Sequence, residues 1–228
     1  ENILNTSNEE YSSRLMMHLL SEPVQDGGQW DMFVNLIEKY GVMPQSVMPE
    51  SFQSSQSSMM NRLITRKLRE FAWALREQNN KGSSIEDLRK EKAKMLSTIY
   101  SMLCTFLGNP PDSFNWQVYD KKKKFIRFKN LNPINFYKKL VNIKLKVKFC
   151  LIHAPMSNKK MNTLYTVNYL GNVVDGEIIK YANVEIDVIK KASIKSLKNN
   201  EAVWFGCDVG KMFHRDLGVM DTSLYDYE

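Results

Sequence analysis

No run of apolar residues in this sequence approaches the roughly 20 that a membrane-spanning helix requires, and its first residues lack the charged, apolar and small-residue succession of a secretory signal. No membrane partner is expected. Cysteine is scarce: Cys104, Cys150 and Cys207 are odd in number, unclustered and set among apolar neighbours. That is the pattern of reduced thiols in a cytoplasmic protein, each read as a small buried hydrophobe. Motifs that carry chemistry are missing too. The sequence has no phosphate loop ending in Gly-Lys-Ser/Thr, no dinucleotide fingerprint and no His-Glu-x-x-His. His18, His153 and His214 are widely separated and share no metal motif with a cysteine, so neither metal nor cofactor is called for. Spacing alone leaves a cysteine–histidine nucleophile pair open, because such partners are distant in the chain.

What is present is ordinary for a globular protein: 228 residues, 43% apolar and 25% charged. The length suffices for one good-sized core, or a core with a subdomain. The net charge of +7 is concentrated in "DKKKKFIRFKN" and "FYKKLVNIKLKVKF", residues 120–130 and 136–149. Lysines interleaved with aromatic and aliphatic residues suit a polyanion such as nucleic acid. They equally suit a solvated face, since "IKLKVKF" alternates like a half-buried strand.

Helical patterns dominate the first half. From Trp30 the apolar residues Phe33, Val34, Ile37 and Tyr40 follow the i, i+3, i+4, i+7 spacing of a helix with one buried face, and Gly41 supplies its stop. The Ser/Gln run at 51–61, after two prolines, marks a boundary. A long helix over 58–79 follows, striped by Met59, Leu63, Ile64, Leu68, Phe71 and Leu75. Ser83 and Glu86 have capping-box spacing at the head of a second long helix, which "GNPP" ends at 108–111. The two are expected to form an antiparallel hairpin whose methionines either pack the core or meet partners. From residue 113 the period changes. "FNWQVY" and "KFIRF" read as a β-hairpin, "PINFYKKLV" as a short helix, "KFCLIHAP" and "TLYTVNYLGNVV" as strands, 185–197 as a helix and "AVWFGCDVG" as a buried strand. Helices first and strands later, without regular alternation, point to an α+β fold.

One feature is unexplained by this pattern: the adjacent glycines Gly27 and Gly28 directly before the Trp30 helix, where Ser, Thr, Asp or Asn is usual and Asp26 sits two residues early. Such a pair relieves a strained turn or lets another backbone come close. The segment "DGGQWDMFVNLIEKYGVMPQSVMPES" resembles the corresponding part of the bleomycin hydrolases, papain-like cysteine aminopeptidases of the cytosol. "KLREF", "LGNPP", "NPINFYKKLV", "NTLYTVNYLGNVV", "NNEAVWFGCDVGKMF" and "LGVMDTSLYDYE" extend the likeness, in order, over nearly the whole chain. The resemblance implies a partial papain-like fold interrupted by a mainly helical insertion. Residues 1–52 and 178–228 would belong to the catalytic domain, and 53–177 would be the insertion with its hairpin. It also implies that Gly27 and Gly28 line the substrate cleft, where a peptide backbone forms strand-like hydrogen bonds. Phe205 and Gly206 would border a side-chain pocket.

Papain-like catalysis needs a cysteine thiolate, a histidine base, an asparagine orienting that histidine and a glutamine at the oxyanion. The family's "GRCW" and "NSWG" motifs do not occur in the 228 residues, and Cys207 matches a strand position rather than the nucleophile. The chain is therefore expected to be an internal segment of a bleomycin hydrolase homologue, inactive alone. The parent would be a cytoplasmic aminopeptidase that acts on peptide substrates through a thiol acyl-enzyme and assembles as a homohexamer. The alternatives are a noncatalytic scaffold and a nucleic-acid-binding module using the lysine-rich 120–148 region around Lys121 to Lys124.

Overall fold

The computed structural model describes residues 1–24, 27–207, 209–210 and 212–224. The sequence readings at Asp26 and in the closing "YDYE" lie outside these residues. The fold divides into two units, residues 1–150 with 165–181, and residues 151–164 with 182–228.

The first unit opens with short helices α1 (Asn2–Asn5) and α2 (Arg14–Ser21), the latter capped by Ser13, whose hydroxyl accepts from Met16 N–H. Helix α3 (Trp30–Tyr40) follows the expected spacing, but the buried face is narrower than the sequence suggests. Val34 and Ile37 are buried against Tyr137 and Leu145, with Trp30 packed beside them, while Phe33 and Tyr40 are exposed. At its end Gly41 takes φ 75°, and an added Cβ would lie 2.2 Å from the Pro133 carbonyl carbon. Only glycine fits, and the close approach lets Val42 N–H donate to the Pro133 carbonyl at 3.2 Å.

After α4 (Phe52–Ser55), α5 (Ser58–Asn80) and α6 (Ile85–Leu107) pack together across the turn at residues 81–84, as the sequence predicts. The start of α6 is shifted by one residue from the expected capping box. Ser84 is the cap, accepting from Asp87 N–H at 3.1 Å, which satisfies an N–H that has no carbonyl partner within the helix. Along α5 the buried line is Met60, Ile64, Ala72 and Arg76; Met59 is exposed. Buried Arg76 donates to the carbonyls of Thr6 at 3.0 Å, Ser7 at 3.1 Å and Glu9, and its guanidinium lies 4.5 Å from the centre of the Tyr11 ring. It thereby fixes the leading segment to the helix.

Strands β1 (Phe114–Tyr119) and β2 (Phe125–Leu131) form the expected antiparallel hairpin. Asp120 closes its turn: the carboxylate oxygen Oδ1 accepts from Lys122 N–H at 2.8 Å and Lys124 N–H at 2.9 Å. Lys121 to Lys124 stand exposed at the tip. Trp116 stacks on Phe128 and meets Phe136 edge-on, building a second core with Phe114 and Leu131. Pro133 begins α7 (Pro133–Phe136), which continues into a wider π-helical turn, Tyr137–Val141. The alternating "IKLKVKF" is not a strand. It holds a single 3-10 turn, Leu145–Val147, in which Leu145 is buried while Val147 and Phe149 are exposed. Alternation marks a strand only where a neighbouring strand pairs with the backbone, and no strand is formed here.

Three short strands, β3 (Cys150–Ile152), β4 (Thr163–Tyr165) and β5 (Tyr181–Asn183), hydrogen-bond in the order β3-β5-β4. The strand expected over "TLYTVNYLGNVV" is thus confined to its first three residues. Asn183 is fully buried, accepting from Ala154 N–H at 2.9 Å and donating toward the carbonyls of Ala154, Lys159 and Lys160. Helix α8 (Ile186–Lys198) matches the expected helix, and β6 (Phe213–His214) pairs antiparallel with β7 (Val219–Met220).

Candidate functional site

Gly27 and Gly28 sit in irregular chain leading into α3, and both are exposed. Gln29 is the residue before the helix, its carbonyl accepting the first helical bond from Phe33 N–H at 3.1 Å. Neither glycine has a positive φ. A Cβ built on Gly27 meets nothing within 4 Å, and one on Gly28 makes only ordinary contact, 3.7 Å to Met32 Sδ. The chain's own packing therefore does not require glycine at either position. What two absent side chains leave is an open, unshielded backbone edge at the head of a helix.

The segment Asn172–Lys180 runs along a polar face of α3. Asp31 Oδ2 accepts from Lys180 N–H at 2.9 Å, and Asn172 Nδ2 donates to the Met32 carbonyl at 3.2 Å. Asn35 is 6% exposed and pairs both ends of its amide with one residue, donating to the Glu177 carbonyl and accepting from its N–H, each at 2.9 Å. Lys39 Nζ donates to the Val174 carbonyl at 2.9 Å. The sequence reading missed these residues. Their signal was the spacing of Asp31, Asn35 and Lys39 at i, i+4 and i+8, together with the Asp175-Gly176 turn pair.

Phe205 and Gly206 belong to the second unit. The strand expected there is not formed: residues 201–207 are irregular, Phe205 is 78% exposed and Trp204 is 62% exposed. No strand among the described residues pairs with this stretch. A Cβ on Gly206 would meet nothing within 4 Å.

Among the described residues no cysteine shares a hydrogen bond with a histidine, and no group of three or more His, Cys, Asp or Glu is gathered to hold a metal ion. Cys150 is half-buried. Burial, and then the nearby Asp31 carboxylate, push its thiol up from the ordinary cysteine value, the opposite of what a nucleophilic thiolate needs. Cys207 is exposed, correcting the expectation that every cysteine is buried, and Cys104 is half-buried. His153 Nδ1 lies 3.0 Å from the Val184 carbonyl, which fixes the ring as a structural donor. No helix among the described residues is long and apolar enough to cross a membrane.

The profile of the Peptidase C1-like family matches residues 1–228, and the chain belongs to that family. It is 46% identical over 225 residues to aminopeptidase C of Listeria innocua, covering 99% of this chain and 50% of the relative. Human bleomycin hydrolase is 41% identical over 222 residues, covering 96% of this chain and 49% of the relative. The crystal structure of PepW from Lactobacillus rhamnosis HN001 (DR20) superposes with a TM-score of 0.90 at 43% identity, over 93% of this chain and 48% of PepW. The α+β fold of a bleomycin hydrolase-like peptidase is thereby shared, and the chain spans about half the length of the curated relatives it matches.

Proposed function

We propose that this chain is part of a cytoplasmic cysteine aminopeptidase of the bleomycin hydrolase kind, and that it supplies a wall of the substrate cleft rather than the reacting groups. In this reading a thiolate supplied from outside these 228 residues attacks the carbonyl carbon of the first peptide bond. The amine leaves after receiving a proton from the imidazolium, and water hydrolyses the resulting thioester. Residues 1–52 and 178–228 form part of the catalytic domain, and residues 53–177 are the helical insertion. Gly27 and Gly28 present their backbone to the bound peptide; Phe205 and Gly206 border a side-chain pocket. The parent protein assembles as a homohexamer.

The observation that carries this reading is the Gly-Gly edge at the head of α3, exposed and unneeded by internal packing, within a chain similar throughout to proteins named aminopeptidase C and bleomycin hydrolase. The test is hydrolysis of aminoacyl-coumarin substrates by the full-length gene product and by the 228-residue segment. The full-length protein turns over and is inhibited by iodoacetamide, whereas the segment does not. Iodoacetamide-sensitive turnover by the segment alone, or none by the full-length protein, contradicts the proposal.

A second reading rests on the four lysines exposed at the β1–β2 turn, which suit a nucleic-acid backbone. Reversing the charge of Lys121 to Lys124 removes single-stranded DNA affinity and its salt dependence if that surface binds; retained affinity counts against it.

A further inference from the structure

We infer that residues 172–180 are a strap that sets the position of the Gly27–Gly28 edge for the bound peptide, with Asn35 as its positioning residue; this rests on the peptidase reading above. On its apolar side helix α3 is held by Val34 and Ile37, which pack against Tyr137 and Leu145, with one polar contact beside them, from the Tyr137 hydroxyl to Glu38 Oε1 at 3.2 Å. Apolar packing is non-directional, and a single polar contact from an exposed glutamate constrains the roll of the helix about its axis only weakly. The strap acts on a different side. At 3.6 residues per turn, the line Asp31, Asn35 and Lys39 is centred roughly 130° around the helix from the apolar line. A directional hold there fixes the roll.

The hold is built for a backbone. Burying an asparagine is costly unless both ends of its amide are partnered. Asn35 meets that need with the N–H and C=O of a single residue, Glu177. A side chain on Gly176 would put its Cβ 2.9 Å from Asn35 Nδ2, so the strap can lie this close only with glycine there. The strap is also shaped in advance. Gly176 N–H donates to the Val173 carbonyl at 3.1 Å, and Asp175 takes φ 65° to close that turn. Its two ends reach the first turn of α3, at the Met32 carbonyl and the Asp31 carboxylate, within four residues of Gly28.

The consequence for a peptide follows from geometry. A roll of roughly 20° carries a backbone atom at a radius of about 2.3 Å through about 0.8 Å. A displacement of that size stretches a backbone hydrogen bond of about 2.9 Å past its useful range, which weakens binding of the peptide in ground and transition state alike. The strap thus converts hydrogen bonds remote from the chemistry into precision at the cleft.

The test uses the full-length enzyme with Asn35→Ala, and with the milder surface change Asn172→Ala in case the first does not fold. Active sites are counted by irreversible thiol titration, so that only folded enzyme enters the kinetics. The expected result is a KM for aminoacyl-coumarin raised about tenfold in Asn35→Ala and a few-fold in Asn172→Ala, with kcat per titrated site held within about twofold. Amide exchange at Phe33, the first hydrogen-bonded amide of α3, speeds up in both variants. Unchanged KM in the titrated variants overturns the inference even where exchange at Glu177 rises, because the strap is then structural alone. An unchanged Phe33 amide overturns it as well. An inactive wild-type enzyme is a separate outcome: it removes the peptidase reading, and the inference with it.

Discussion

Arg76 is the place where a single substitution should cost most for the least change in apolar surface. It is 4% exposed, yet its guanidinium reaches three carbonyls of the leading segment, those of Thr6, Ser7 and Glu9. Replacement by alanine removes three charge-assisted hydrogen bonds, each worth about 1.5–3 kcal/mol when its partner stays buried. That condition holds for Thr6, which is 2% exposed. Ser7 is half-buried and Glu9 exposed, so their carbonyls recover water and their loss counts for little. The contact with the Tyr11 ring adds about 0.5–1 kcal/mol. Against this stands the desolvated guanidinium, whose Nε is buried without a hydrogen-bond partner. The balance is a loss of about 3 kcal/mol, roughly two decades in the folding equilibrium. Arg76→Lys recovers less than half, because one ammonium cannot replace a planar fork that spans several carbonyls. Urea unfolding followed by circular dichroism measures both variants. A loss below about 1 kcal/mol for the alanine variant, or full recovery by lysine, refutes the reasoning.

Two further predictions concern stability. Gly41→Ala combines left-handed strain with a Cβ driven against the Pro133 backbone, and should cost about 3 kcal/mol, whereas Gly82→Ala, at φ 84° with open space around it, should cost about 1 kcal/mol. Equal shifts in the thermal midpoint for the two would contradict the close approach at Pro133. The Tyr137 hydroxyl donates to the Ile143 carbonyl at 2.8 Å, and burial, then Glu38, raise its pKa above the ordinary value of 10.0. A raised value in the fold means that this tyrosine contributes stability that is complete below pH 10.0 and is lost as the pH climbs through the folded value. Tyr137→Phe lowers stability at neutral pH but flattens the alkaline loss above pH 10.0. An unchanged alkaline slope in pH-dependent unfolding counts against that assignment.

The elements most legible in the sequence were those whose stabilisation is local. The long α5 and α6 carry their own apolar stripes and breakers, and the β1–β2 hairpin brings its partner strand with it across a short charged turn. Elements that depend on distant partners were read less well. "AVWFGCDVG" has the composition of a buried strand, and "IKLKVKF" has the alternation of one. Composition supplies no neighbouring strand, and neither stretch forms a strand among the described residues. Buried polar anchors were invisible for a related reason. Asn35, Arg76 and Asn183 look like surface residues in a helix or a loop until the carbonyls they hold come from 23 or more positions away. The Gly27–Gly28 edge was the reverse case: local pattern could not explain the pair, and that failure pointed to something outside the chain.

Whether this edge faces a peptide is decided by Gly27→Val in the full-length enzyme. A side chain there meets nothing within 4 Å and no positive φ opposes it, so the fold itself gives no reason for a loss. The expected result is an unchanged thermal midpoint with kcat/KM for aminoacyl-coumarin reduced at least about tenfold, because the bound backbone can no longer close on the edge. A kcat/KM within about twofold of wild type would show that the two glycines serve something other than the substrate.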